Sequence, residues 1–175
     1  EVIADSVELT MRGHCYDAIV GLAGCDKTLP GVMMAMVRLN VPSVFLYGGS
    51  LLPGHLDGRQ VGVVEVFEGV GSYTGGKIGR DELRRLEIAA CPTIGACPGQ
   101  YTASTMAAVS EAMGVALPGS GFVPAVDAKR GAIAAACGRT VMDLIAHNIR
   151  PRDIVTRKSL ENAAAVVAAS GGSTN

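Results

Sequence analysis

Tryptophan is absent from this 175-residue chain, and all aromatic residues together make up only 4% of it. So few flat rings leave no platform on which nucleic-acid bases would stack. Net charge is −1, from 15 basic and 16 acidic residues. No strongly basic face is available for a phosphate backbone, so nucleic acid is not expected as a partner. No apolar run reaches the roughly 20 residues that a membrane helix requires, and no secretory leader pattern is visible. A GxGxxG turn and a Walker-type lysine are both missing, which removes support for nucleotide binding. The histidines His14, His55 and His147 show no metal-ligand spacing.

What is present points to a folded, reduced protein. Apolar residues make up 49% of the chain and charged residues 18%, which argues against disorder. The length suits one domain with a sizeable core. Glycine occurs 23 times, so the core is expected to rest on Ala, Val, Leu, Ile and Met with close backbone approaches. The cysteines, Cys15, Cys25, Cys91, Cys97 and Cys137, are odd in number and scattered. That pattern fits a cytoplasmic chain better than a disulfide scaffold. The chain opens at Glu1 inside a helical pattern and stops in the turn signal Ser170 to Asn175, so an internal piece of a larger protein is expected.

Periodicity predicts a weak helix over residues 1–12, a buried strand from Tyr16 to Leu22, and a turn at 23–27. Thr28 is a candidate cap for a helix that runs to about Leu39, with Pro30 in its first turn and Asn40 and Pro42 at its end. Ser43 to Tyr47 reads as a second strand, closed by Gly48 and Gly49. Strand, helix and strand in this order form a βαβ unit of a parallel sheet. Further helices are expected over about 61–70, 81–90, 102–113, 127–148 and 156–169, with loops at 71–79 and 91–99 and loop or short strand at 114–124. The class is α/β, a parallel sheet flanked by helices.

Parallel sheets place ligands at the carboxyl ends of their strands. Gly24-Cys25-Asp26-Lys27 falls there, as does Gly48-Gly49-Ser50. A second thiol, Cys97, sits in Gly95-Ala96-Cys97-Pro98-Gly99. A thiol near a helix start is favoured as thiolate, the form that binds soft metals and iron–sulfur clusters. Cys25 and Cys97 are 72 positions apart, too far for a local knuckle, though loops at one sheet edge would bring them together. The competing reading makes each a small buried residue. Cys91 and Cys97 form a C-x5-C pair that is a lesser candidate, while Cys15 and Cys137 read as core. Asp26 is a hard oxygen donor suited to Mg²⁺. Lys27 is a counter-charge, a Schiff-base amine, a modified ligand or an ordinary loop cation. The glycine pairs 48–49, 75–76 and 171–172 are candidates for approach to phosphate or carboxylate groups.

The longer strings carry a resemblance. Gly24-Cys25-Asp26-Lys27-Thr28-Leu29-Pro30-Gly31 resembles a signature of the dihydroxy-acid dehydratase and phosphogluconate dehydratase family. The segment from Cys91 to Met106 resembles that family's second signature. The opening Ile3-Ala4-Asp5-Ser6-Val7-Glu8 and the closing Gly171-Gly172-Ser173-Thr174-Asn175 are similar to family segments in the same order. Pro98 stands where members often have Gly, and Ser104 where they often have Asn.

The resemblance implies that residues 1–175 are part of the N-terminal α/β iron–sulfur domain of a two-domain hydro-lyase, with a C-terminal β-rich domain outside this chain. It assigns Cys25 and Cys97 to an iron–sulfur cluster, 2Fe-2S or 4Fe-4S, and Asp26 and Lys27 to Mg²⁺, the lysine as an N-carbamate. Cys91 matches a family cysteine outside the ligand set. A third cysteine and a further acidic ligand are expected before Glu1, and a serine base beyond Asn175, so no catalytic residue is assigned within the chain. The implied reaction is dehydration of a 2,3-dihydroxy acid to a 2-keto acid, with 2,3-dihydroxyisovalerate of branched-chain amino-acid synthesis as the first candidate and sugar acids as the alternative. A homodimer or tetramer is implied for the full-length protein, and the fragment alone is expected to be inactive. A reading from a different class, a non-catalytic α/β ligand-binding domain with core cysteines, is separated from this one by metal analysis.

Overall fold

The computed structural model describes residues 1–175. Helix α1 (Val2–Gly13) leads to strand β1 (Ile19–Ala23), helix α2 (Thr28–Leu39) and strand β2 (Ser43–Tyr47). The two strands pair in parallel, with Ile19 opposite Ser43 and Ala23 opposite Tyr47, so the βαβ unit is present. β1 begins three residues later than periodicity predicts. Asn40 ends α2 in the left-handed conformation at φ 54°, a role its short polar side chain tolerates.

All five residues of β2 are buried, and its side chains alternate between two packing layers. Phe45 and Tyr47 join Leu29, Val32, Met33 and Met36 of α2 on one face. Val44 and Leu46 meet Cys137 and Val141 on the other. Cys137 and Val141 belong to α6 (Lys129–His147). Burying Phe45 contributes roughly 1.5–3 kcal/mol. Beyond β2, the Phe45 N–H donates to Val115 O at 2.7 Å, and Phe45 and Ala116 form an isolated parallel bridge.

The hairpin of β3 (Gly54–Leu56) and β4 (Arg59–Val61) is absent from the periodicity reading. Its turn is Asp57-Gly58, with φ 51° and 80°, an Asp-Gly pair that signals a two-residue hairpin. The strands are too short for alternation to register. α3 (Val63–Thr74) then extends four residues past the expected end and packs on α4 (Arg80–Ala90). α5 (Thr102–Ala112) packs on α8 (Arg157–Ser170), with the short α7 (Pro151–Ile154) before α8. Thr156 caps α8 by accepting from the Ser159 N–H, and Gly171 closes it at φ 61°.

Two assignments change. Cys15 is exposed, in the turn after α1 at φ 54°, and is not a core residue; Cys137 is fully buried as expected. Thr28 is the first residue of α2 and does not cap it.

Loop 91–99 reaches the sheet through a backbone clasp. The Ala96 N–H donates to Gly49 O at 2.9 Å, and the Leu51 N–H donates to Ala96 O at 2.8 Å. Gly95 makes this approach at φ 134°, where an added Cβ would collide with the Ser50 and Leu51 backbone. Gly58 also has positive φ, but open space surrounds it. Gly95→Ala is therefore expected to cost roughly 1–3 kcal/mol and Gly58→Ala distinctly less. Urea unfolding of both variants checks this, and equal stabilities would contradict the clasp.

Candidate functional site

Three segments converge at the carboxyl end of the sheet. The first is the turn from Ala23 into α2. The Cys25 N–H donates to Thr28 Oγ1 at 3.1 Å, and the Thr28 N–H donates to Cys25 O at 2.9 Å. The Thr28 hydroxyl also donates to that carbonyl. Asp26 takes φ 33° in this bend, an unusual conformation that Asp tolerates better than most residues. The turn is thus held by its own threonine.

The second segment is Ala96-Cys97. The clasp to Gly49 and Leu51 fixes Ala96, and Cys97 follows directly. The Leu52 N–H donates to Thr93 Oγ1 at 2.9 Å, which steadies the same loop. β1 and this loop both flank the β2 end: the Gly48 N–H donates to Ala23 O at 2.8 Å. The structure therefore brings Cys25 and Cys97 together from distant sequence positions, near enough for each sulfur to act on the other.

That proximity alters the expected thiol chemistry. Partial burial, then charge on Cys97 and the hydrogen bond to it, then charge on Asp26, push the Cys25 thiol up; a backbone N–H at Asp26 works the other way. The residue as a whole is exposed, with its sulfur turned to Cys97. Burial first, and the neighbouring sulfur after it, outweigh the stabilisation expected of a helix start. Cys97 lies five residues before α5 rather than at its first turn. Cys91, exposed at the end of α4, does not join the pair.

The third segment, Gly172 to Asn175, reads in the sequence as a turn signal and as a string similar to the family, with no role assigned to Ser173, Thr174 or Asn175. The Ser173 N–H donates to Thr105 Oγ1 at 2.9 Å, and the Ser173 and Thr102 hydroxyls lie 3.0 Å apart. Asn175 then bridges the charged pair beside Cys25. Its Nδ2 donates to Asp26 Oδ1 at 2.9 Å and to Thr102 Oγ1 at 3.0 Å. Lys27 Nζ donates to Asn175 Oδ1 at 2.7 Å and to its backbone O at 3.1 Å. The carboxamide donates to the carboxylate and accepts from the amine, as its two ends allow.

Tyr47 lies beneath these segments. It is 1% exposed, and its hydroxyl has no hydrogen-bond partner. Burial pushes that hydroxyl up; Ser104 pulls it down without reaching hydrogen-bond geometry, and charge on Cys25 and Cys97 pushes it up further. The Arg130 guanidinium donates to Tyr47 O, and its Nη1 is buried without a partner. Ser104 is thus at the site, whereas Pro98 packs toward Gly62. No set of three or more His, Cys, Asp or Glu side chains converges on one point. An apolar groove of about 430 Å³ between α2, α5 and α8, lined by Met33, Met34, Met106 and Met113 among others, contains none of the site residues.

The donor set sorts by type. Two adjoining thiols suit a soft metal or iron–sulfur group. The Asp26 carboxylate, on the next residue, suits a hard divalent ion.

Comparison with known proteins identifies the family. The family described as dihydroxy-acid/6-phosphogluconate dehydratase N-terminal matches residues 1–175. The dihydroxy-acid dehydratase of Parvibaculum lavamentivorans is 69% identical over 175 residues, covering 100% of this chain and 30% of that protein. That of Pelagibacter ubique is 66% identical, over 100% of this chain and 31% of that protein. That of Metallosphaera sedula is 53% identical, again over 100% and 31%. The chain therefore spans about 30% of the length of the curated relatives it matches. Matched from its first residue to its last, the chain belongs to the N-terminal family of the dihydroxy-acid and 6-phosphogluconate dehydratases.

Proposed function

We propose that this chain is the cofactor-binding part of a hydro-lyase that dehydrates 2,3-dihydroxy acids to 2-keto acids. The observation that carries the reading is the meeting of Cys25 and Cys97 beside Asp26 and Lys27. The high identity to proteins named dihydroxy-acid dehydratase supports 2,3-dihydroxyisovalerate, in branched-chain amino-acid synthesis, over a sugar acid. The working enzyme is a cytoplasmic homodimer or tetramer with a C-terminal β-rich domain, and its serine base follows residue 175.

Cys25 and Cys97, as thiolates, hold an iron–sulfur cluster, 2Fe-2S or 4Fe-4S. When bound, the cluster and Mg²⁺ supply Lewis acidity toward the leaving hydroxyl and toward the carboxylate and neighbouring hydroxyl of the substrate. Asp26 offers its carboxylate oxygens to Mg²⁺. Lys27 joins it as an N-carbamate: its neutral amine forms an N–C bond to CO2 and releases one proton. The product is an oxygen donor in place of a cation. Asn175 and Thr102 keep Asp26 and Lys27 aligned through the hydrogen bonds already present. The Thr28 contacts fix the direction of the Cys25 backbone, and so limit where its sulfur reaches.

In the full-length protein, purified anaerobically, Cys25→Ser and Cys97→Ser are expected to abolish iron–sulfur absorbance. Keto-acid release should fall by more than roughly 100-fold, beyond the usual cost of losing an outer-shell partner. Retention of cluster and activity by both variants would remove the ligand assignment and favour a non-catalytic binding domain. A panel of 2,3-dihydroxyisovalerate and sugar acids separates the two substrate classes. Residues 1–175 alone are expected to release no keto acid.

The cluster-free protein should also show a specific pH response. A thiol pushed up in the folded state holds its proton more tightly there than in the unfolded chain. Stability is then unaffected at pH well below the ordinary thiol value of 9.0 and falls as pH rises through and beyond it. Cys137 and Tyr47, both pushed up chiefly by burial, act in the same direction. Urea midpoints measured across this range should decline, and Cys25→Ser should make the decline shallower. An identical decline in that variant would show that Cys25 is not perturbed.

A further inference from the structure

We infer that the Tyr47 hydroxyl is a hydrogen-bond donor to the cysteine sulfur of the bound cluster, and that it sets the cluster's redox balance as a positioning residue. The inference rests on the reading of Cys25 and Cys97 as cluster ligands.

Register fixes where Tyr47 points. All of β2 is buried, and Tyr47 shares the face of Phe45, Ala23, Ala96 and Ala103 rather than the face of Val44 and Leu46. Ala23 lies opposite Tyr47 in the sheet, two residues before Cys25. Ala96 is clasped to Gly49 and Leu51, one residue before Cys97. The same strand end therefore carries the phenol and receives both thiol loops, and the hydroxyl lies within electrostatic reach of both sulfurs.

The hydroxyl is also a buried oxygen that meets no hydrogen-bond geometry, although Ser104 is nearby. A buried donor left unmet is costly, and native structures rarely keep one without a use. Phenylalanine would fill the same volume without that cost. A thiolate carrying cluster charge is an acceptor suited to a neutral O–H. Hydrogen bonds to cluster sulfurs stabilise the more negative, reduced state and raise the potential. Arg130, holding Tyr47 O from behind, fixes the backbone from which the ring projects.

The test uses full-length protein with an anaerobically reconstituted cluster, followed by spectroelectrochemical titration of its visible absorbance. Tyr47→Phe is expected to fold, because its hydroxyl has no partner to lose in the cluster-free chain. It should keep its iron and sulfide content and shift the one-electron reduction equilibrium roughly tenfold toward the oxidised form, about 59 mV downward. A 3,5-difluorotyrosine at position 47, a stronger donor, should shift it the other way. Unchanged midpoints in both proteins, with the cluster retained, would overturn the role of Tyr47 and leave the ligand reading intact. A wild-type protein that takes up no cluster would overturn both. If Tyr47→Phe loses the cluster, the difluorotyrosine protein decides: a raised midpoint supports the inference and an unmoved one ends it.

Discussion

The parallel pairing of β1 with β2 is the contact on which the rest of the molecule depends. It places Ala23 beside Tyr47, so the turn that carries Cys25 starts where β2 ends. The chain past β2 then offers Gly49 and Leu51 as an edge for Ala96. One strand end thereby organises two loops that are distant in sequence. Burial on both faces locks the register, because a slip of one residue would exchange the side chains of the two layers. Phe45 and Tyr47 would then face α6, and Val44 and Leu46 would face α2.

The site gathers around that end with little machinery of its own. Thr28 closes one turn on itself, and Gly95 lets the other approach the sheet. Asn175 returns from the far end of the chain to join Asp26, Lys27 and Thr102. Soft and hard donors stand side by side in consecutive residues, Cys25 then Asp26. Burial and the nearby Cys97 hold the proton on Cys25 more tightly, and a metal group bound there would have to displace it.

Much of the scaffold was legible in the sequence because long periodic segments carry their own boundaries. β2 and α5 began where periodicity put them, and Asn40 and Gly171 closed their helices with left-handed turns. The β3–β4 hairpin escaped because three-residue strands show no alternation, although Asp57-Gly58 was a readable turn signal. Cys25, Asp26, Lys27 and Cys97 stand out by residue type and by strings similar to a family. Thr102 and Asn175 lie in such strings but carry no residue type that marks a role, and Tyr47 lies in neither. Tyr47 looks like any core aromatic in a strand, and its unmet hydroxyl exists only after packing. Asn175 acts across 149 positions in sequence, a contact that no local pattern encodes. Cys15 was misread as core because an apolar cysteine and an exposed one look alike until the turn after α1 is seen.

Cys25 and Cys97 occupy one site before any metal is present. A short thiol-bridging reagent such as dibromobimane, applied to the cluster-free protein and followed by peptide mass spectrometry, tests it most directly. A single dominant crosslink joining the Cys25 and Cys97 peptides is expected, with Cys15 and Cys91 modified separately. Separate modification of Cys25 and Cys97, with no bridged peptide, would contradict it.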